Sequence, residues 1–351
     1  MSAPRTRHSL ASPLDFASGR VELSHGSGGR AMAQLIEELF ATAFRNPWLD
    51  QRNDQACLEL PPGRIAMTTD SYVVSPLFFP GGDIGSLAVH GTVNDLAMAG
   101  ARPLHLSAGF ILEAGFPLAN LRRIVASMAA AARAAGVTIV TGDTKVVERG
   151  KGDGVFINTT GIGVIPDGIQ LSGDRARPGD LILLSGSIGD HGVAVMSQRA
   201  GLEFETTLQS DSAALHDLVA VMVAATPDLR CLRDPTRGGL ATTLNEIAIQ
   251  SSVGMVLREA AIPIKPGVAA ACELLGLDPL YVANEGKLIA ICPPDEAERL
   301  LAAMRAHPLG AMAAIIGTVR EDRHRFVTME TTFGGNRLVD WLSGEQLPRI
   351  C

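Results

Sequence analysis

Three groups of residues in this 351-residue chain are of types and spacings that carry chemistry. The first is Gly26-Ser27-Gly28-Gly29, which runs straight into a helical pattern at Arg30 and would offer free backbone N–H groups to an anion. No Walker lysine follows at the required spacing, so the run also reads as a glycine-rich turn. The second is a set of aspartates in loops and at strand ends: Asp54, Asp70, Asp95, Asp143 and Asp234. Hard oxygen ligands of this kind hold Mg2+ and bridge it to phosphates. Each aspartate taken singly also serves as a turn residue or helix cap. Asp95 stands apart because its helical stretch is apolar, where an unpaired carboxylate is costly to bury and a cation would offset that cost. Lys145 and Arg237, close in sequence to Asp143 and Asp234, are placed to receive phosphate or, with a pKa lowered by burial, to act as a base. Surface salt bridges are the alternative. Glu285, in Asn284-Glu285-Gly286-Lys287, is a second candidate base or a solvated turn residue. The third group is Cys351, the last residue. A prenylation box would put the cysteine four from the end, so no lipidation pattern claims it. A thiol on an accessible chain end suits a nucleophile or a carrier.

These side chains need elements to position them. Short apolar runs bounded by Gly, Pro or Asp predict strands at 64–69, 137–141, 155–165, 180–185 and 287–292, and a last strand-like run falls at 325–330. Helical periodicity predicts helices at 30–44, 84–99, 117–135, 211–225, 239–251, 266–275 and 294–306. Strands and helices thus alternate irregularly in two rounds, an α/β pattern of two domains, which also suits the length. The breaker-rich stretch 166–180 reads as the linker. The division is then an N-terminal segment 1–39 holding the glycine-rich loop, a domain 40–165, a second domain 175–330 and a flexible tail 331–351. Extended, the last residues from Leu342 onward span about 33 Å, enough to carry Cys351 into a pocket of its own or a neighbouring chain.

Composition narrows the class. The 30 Lys and Arg and 37 Asp and Glu are scattered along the chain, giving a net charge of −7 and no nucleic-acid footprint. The 5 cysteines form no CxxC pair and are odd in number, against both a zinc site and a disulfide framework. The Ala-rich stretch 125–135 is too short and too interrupted to span a bilayer. The expectation is a cytoplasmic protein without membrane attachment.

Together the motifs resemble the HypE family of hydrogenase maturation factors, within the PurM-like ATP-binding superfamily of aminoimidazole ribonucleotide and selenophosphate synthetases. The resemblance runs from HGSGG (25–29) through TDSYVVSPLFFPGGDIG (69–85), GTVNDLA (91–97), VTGDTKVV (140–147), RDPTRGG (233–239) and ANEGKL (283–288) to PRIC (348–351). The acidic and glycine-rich motifs are shared by the superfamily, whereas the PRIC ending marks this family. The resemblance implies two α/β domains, with the N-terminal sheets of two subunits joined in a homodimer and ATP in the adjoining cleft. It implies that Gly26, Ser27, Gly28, Gly29, Asp70, Asn94, Asp95, Asp143, Thr144, Asp234 and Arg237 seat ATP and Mg2+. It implies catalytic roles for Cys351, Lys145 and Glu285. The carbamoyltransferase HypF would load the thiol, dehydration would turn the carbamoyl group into a thiocyanate, and a HypC–HypD complex would take the cyanide onto iron. His90 and residues 1–20 match no motif.

A carboxamide oxygen is a poor leaving group, so ATP would phosphorylate it while Mg2+ and the glycine loop neutralise charge. The amide nitrogen must lose two protons, which requires a positioned base. Two other readings compete: a nucleotide-gated scaffold without chemistry of its own, and a superfamily relative such as selenophosphate synthetase or thiamine monophosphate kinase. The second ignores PRIC, and the first leaves Asp95, Lys145 and Glu285 without work.

Overall fold

The computed structural model describes residues 12–201, 208–342 and 349–351. It begins with α1 (Arg30–Leu35), which continues into a π-helical turn Ile36–Ala41, and α2 (Pro47–Asp50). Then follow β1 (Arg64–Tyr72), the short pair β2 (Phe78–Phe79) and β3 (Gly82–Asp83), α3 (Ile84–Met98), β4 (Arg102–Glu113), α4 (Leu118–Ala134), β5 (Thr138–Val147) and β6 (Val155–Ile165). Residues 166–180 form turns with neither helix nor strand. The second half holds β7 (Leu181–Leu184), α5 (Asp190–Ala200), α6 (His216–Ala225), β8 (Cys231–Arg233), α7 (Gly239–Ser251), β9 (Gly254–Arg258) and α8 (Pro266–Leu275). It closes with β10 (Ile289–Cys292), α9 (Pro294–Ala306), β11 (Ala314–Arg320), β12 (Val327–Glu330) and β13 (Asn336–Leu338).

The first sheet has the order β1-β6-β4-β5, with β4 and β5 parallel and the other neighbours antiparallel. Strand β4 is missing from the sequence reading, although Leu104, Leu106, Ala108, Phe110 and Leu112 alternate with His105, Ser107 and Gly109 as a half-buried strand does. It is central, and buries Leu106, Ala108, Phe110 and Leu112. Helices α3 and α4 cover this inner face, with Leu87, Val89, Leu121 and Ile124 excluded from solvent. The outer face carries exposed Ile65 (58%), Met67 (71%) and Ile111 (46%).

The second sheet has the order β13-β12-β9-β11-β7-β10-β8. Its strands β7 and β10 are buried on both faces, so their sequences are continuous apolar runs. Ile182 and Leu184 pack with α7 on one side, while Leu181 and Leu183 pack with α6 and α9 on the other. The expected tail from 331 is thus partly sheet: β13 pairs with β12, and Val339 is buried. Few of the residues from 331 onward are apolar, which hid β13 from periodicity, while β12 matches the strand-like run at 325–330. Residues 343–348 of that tail, and 1–11 of the N-terminal segment, lie outside the described residues. The predicted helix 211–225 begins only at His216, because the preceding loop is drawn into hydrogen bonds with the first domain.

Candidate active site

Asn94 and Asp95 reach the domain boundary from α3, whose start is fixed by Asp83 accepting from the N–H groups of Gly85 (2.8 Å) and Ser86 (3.1 Å). Asp95 Oδ2 accepts from Thr68 Oγ1 at 2.7 Å. Burial raises the Asp95 carboxyl above its usual range, and the neighbouring charge of Asp70 adds to the effect against the Thr68 bond. Asn94 is spent within the chain. Its Nδ2 donates to the carbonyls of Ala213 (3.0 Å) and Glu285 (3.2 Å), and its Oδ1 accepts from Leu215 N (2.8 Å). In this structure the Asn94 side chain ties the two domains together.

The second domain brings Asp234, Arg237 and Glu285 to the same boundary. The RDPTRGG turn needs its last glycine: Gly239 has φ +61°, and a Cβ there would lie 2.5 Å from the Leu280 carbonyl oxygen. Burial pushes the Asp234 carboxyl up to about 7, with the charge of Asp95 contributing next. The loop carrying Glu285 is held by Asp211, whose carboxylate accepts from Glu285 N and Gly286 N (both 3.2 Å) and pairs with Lys287 Nζ (3.0 Å). Burial alone would raise Asp211, but the Lys287 ammonium and then His191 hold it below its usual range. Asp211 was absent from the sequence reading, where it opened a helix in a plain polar stretch. Glu285 is 3% exposed, and its Oε1 has no hydrogen-bond partner. Burial, followed by the charges of Asp234, Asp211, Asp70 and Asp95, raises its carboxyl well above the usual range. An orphaned buried carboxyl of this kind calls for a ligand or a chemical role.

Cys351 comes to the same place. The chain end lies beside the residues following β1: Val73 N donates to Cys351 O (3.0 Å) and Ser75 N to Arg349 O (3.1 Å). Arg349 Nε donates to Val73 O at 3.0 Å, and its guanidinium also pairs with Asp153. Ile350 is 3% exposed and joins the core of the first domain. The thiol is pushed up to about 12 by burial and the nearby Glu285 charge, with Arg237 opposing and Asp70 adding. Seated in this way, Cys351 is a neutral thiol.

The remaining candidates lie on the outer face of the first sheet or along its β5 edge. Strand pairing puts Asp70, Thr159, Ala108 and Gly142 in one row facing α3, and Asp143, Gly109, Asn158 and Ser71 in the next row, which faces outward. Lys145, opposite Ile111, also faces outward and pairs with Asp143 at 2.5 Å, both side chains 62% exposed. The bond from Lys145 holds the Asp143 carboxyl below its usual range. Thr144 alternates inward and is buried. The glycine-rich loop lies at the β5 edge on the inner side: Gly26 abuts Val146, which like Thr144 alternates inward, whereas Gly28 and Gly29 face open space. Beside it, α1, the π-helical turn, α2 and the edge of β5 enclose a groove of about 790 Å³ lined by Phe40, Trp48, Asn53, Asp143 and Thr144. Asp54 is exposed just beyond it.

Within one chain, then, Asp70, Asp95, Asp234, Arg237, Glu285 and Cys351 gather, while Lys145, Asp143, Asp54 and the glycine loop stand apart. Among the described residues no three His, Cys, Asp or Glu side chains are arranged to ligate one metal ion. The five aspartates are therefore not a single all-protein cage. The donor chemistry of the inner carboxylates does fit Mg2+, which is held by one or two carboxylates together with phosphate oxygens.

Residues 52–165 match the model of the AIR synthase related protein, N-terminal domain, and residues 177–330 that of its C-terminal domain. The chain is 75% identical to carbamoyl dehydratase HypE of Azotobacter vinelandii over 97% of this chain and 100% of that protein. It superposes on a crystal structure of hydrogenase maturation protein HypE in complex with ATP with a TM-score of 0.91 and 57% identity, covering 94% of this chain and 99% of that one. A chain from a HypE-HypF complex superposes with a TM-score of 0.78 and 51% identity, covering 88% and 99% respectively.

Proposed function

This chain belongs to the HypE family of carbamoyl dehydratases, and we propose that it acts on a carbamoyl group carried by its own Cys351, dehydrating it to the thiocyanate that supplies cyanide for nickel-iron hydrogenase assembly. The single observation that carries this reading is that the chain terminus is seated beside Glu285, a buried carboxyl with no partner for Oε1. A terminal thiol held there presents whatever it carries to a proton-transfer group in a water-poor cleft.

ATP, when bound, turns the amide oxygen into a phosphate leaving group. The residues of this chain do the rest. Glu285 sits near the thiol and is the group to receive one amide proton, the other leaving with the phosphate. Its charge is suppressed by burial and then by the surrounding carboxylates, and it would ionise more readily with those carboxylates holding a cation. Arg237, whose charge is felt at Cys351, helps to balance negative charge. Asp70, Asp95 and Asp234 are the residues to hold Mg2+.

Lys145 needs another route to the reacting group, because it faces outward and the sheet separates it from Cys351 within one chain. A homodimer that pairs the exposed faces around Ile65, Met67 and Ile111 supplies it, with one subunit's outer-face residues completing the other's cleft. Carbamoyl loading requires an enzyme such as HypF, in keeping with the HypE-HypF complex formed by a relative. Delivery of the cyanide falls to a HypC–HypD complex. Among the described residues no helix is long and apolar enough to cross a membrane, and we place these steps in the cytoplasm.

Intact-protein mass spectrometry of chain co-produced with HypF tests the reading. A carbamoyl adduct that loses one water on addition of MgATP, with neither change in Cys351→Ala, is the expected result. An adduct that survives MgATP would leave a scaffold; no adduct on Cys351 beside an active transferase would remove the carrier role.

A further inference from the structure

We infer that His191 is the positioning residue that seats Cys351, its Nε2–H donating to the Ile350 carbonyl at 2.8 Å while its Nδ1 is held by Ser210 Oγ at 2.8 Å. The inference rests on the reading that Cys351 carries the reacting group, and it names what holds that group in place.

Arg349 turns the chain with φ 53°, and the carbonyls that follow are taken by partners on different sides. Those of Arg349 and Cys351 face the residues following β1 and find Ser75 N and Val73 N. The carbonyl between them, that of Ile350, points the other way into the interior, where an unpaired oxygen is costly. His191, on the buried face of α5 and fully excluded from solvent, supplies the missing donor. The acceptor identity of a carbonyl requires the proton on Nε2, and Nδ1 then accepts from the Ser210 hydroxyl. The ring stands edge-on to Phe79, 5.4 Å between centroids at 88°. Two turns further along α5, Arg199 donates to Arg349 O (2.9 Å) and Ser75 O. All three terminal carbonyls are thereby held.

The loop that orients His191 also sets the other half of the cleft. Ser210 grips the imidazole, and the next residue, Asp211, grips the backbone of Glu285 and Gly286. One short segment thus fixes both the carbonyl leading into Cys351 and the candidate base. His191 drew no attention in the sequence, lying in an unremarked helical stretch between Gly189 and Gln198.

Iodoacetamide alkylation of the full chain, followed residue by residue by peptide mass spectrometry, tests this without ATP or carbamoyl group. Cys57, which is exposed, is the internal reference. His191→Ala should raise the Cys351 rate about tenfold, the loss of roughly one hydrogen bond, and leave Cys57 unchanged. His191→Gln, which retains an N–H able to reach the carbonyl, should restore most of the native protection. Should His191→Ala lose its cooperative urea transition, Ser210→Ala carries the test, with an expected rise of about threefold. A Cys351 rate unchanged in the folded variant, or no rescue by glutamine, overturns the inference. Failure of the native chain to accept a carbamoyl group would remove the carrier reading instead and leave the alkylation result standing.

Discussion

The Asn94 carboxamide donates to the main-chain carbonyl of Glu285 at 3.2 Å, so a residue on the central helix of the first domain fixes the carboxyl-bearing loop of the second. The same side chain bonds Ala213 and Leu215, and closes the boundary along which the acidic residues gather. Asn94→Ala should cost about 2–3 kcal/mol of stability. It should also abolish dehydration by releasing Glu285. Urea denaturation and product formation measure the two effects, and a fully active variant would show that the loop is held by other means.

Glu285→Gln keeps the size of the side chain and removes its capacity to take a proton. The variant should fold, bind ATP and accept a carbamoyl group, yet dehydrate it about 10²–10⁴ times more slowly, the usual worth of a general base. Single-turnover mass spectrometry reads the rate; native speed would move the proton transfer to another residue.

The separation of Lys145 from Cys351 across the sheet leads to a complementation experiment. Lys145→Ala and Cys351→Ala homodimers should each be inactive, while mixed dimers regain activity at one of their two sites. Activity confined to chains carrying both native residues would place the whole site in one subunit.

Seating of the chain end should depend on pH from both sides. The Cys351 thiol rises from an ordinary 9.0 to about 12 when seated, so the seated state holds its proton more tightly. Seating is then at full strength below pH 9 and is lost as pH climbs toward 12. His191 is shifted the other way: burial lowers it below 6.5, against the opposing effects of Asp211 and the Ile350 bond, so seating weakens as pH falls through the ordinary histidine range. Amide-exchange protection at Val73 and Ser75, corrected for intrinsic exchange, should show a plateau between these limits. Cys351→Ser should abolish the alkaline limb alone; an alkaline limb that survives would rule out the thiol as its source.

Because the inner carboxylates supply only part of a cation's shell, Mg2+ should bind together with ATP and weakly alone. Thermal unfolding should rise more with MgATP than with ATP and a chelator, and Asp95→Asn should narrow the difference. Equal shifts with and without the cation would remove Mg2+ from the site.

Much of this was legible in the residues themselves. The closing cysteine, the acidic motifs and the glycine-rich loop declare their chemistry locally, and the two rounds of strands and helices declare an α/β chain, because periodicity is a property of neighbouring residues. Strand β4 went unread despite its alternation, and β13, with one apolar residue in three, left no periodic signal of its own. The side of the sheet on which each candidate acts was likewise beyond reach. Asp70 and Asp143 look alike in sequence, but strand register turns one toward α3 and the other outward, and register is a relation between segments that only folding brings together. Nor does any local signal single out Asp211 and His191. They matter because the loop at 210–211 and helix α5 meet the chain terminus and Glu285 at one buried boundary, where every polar group must find a partner.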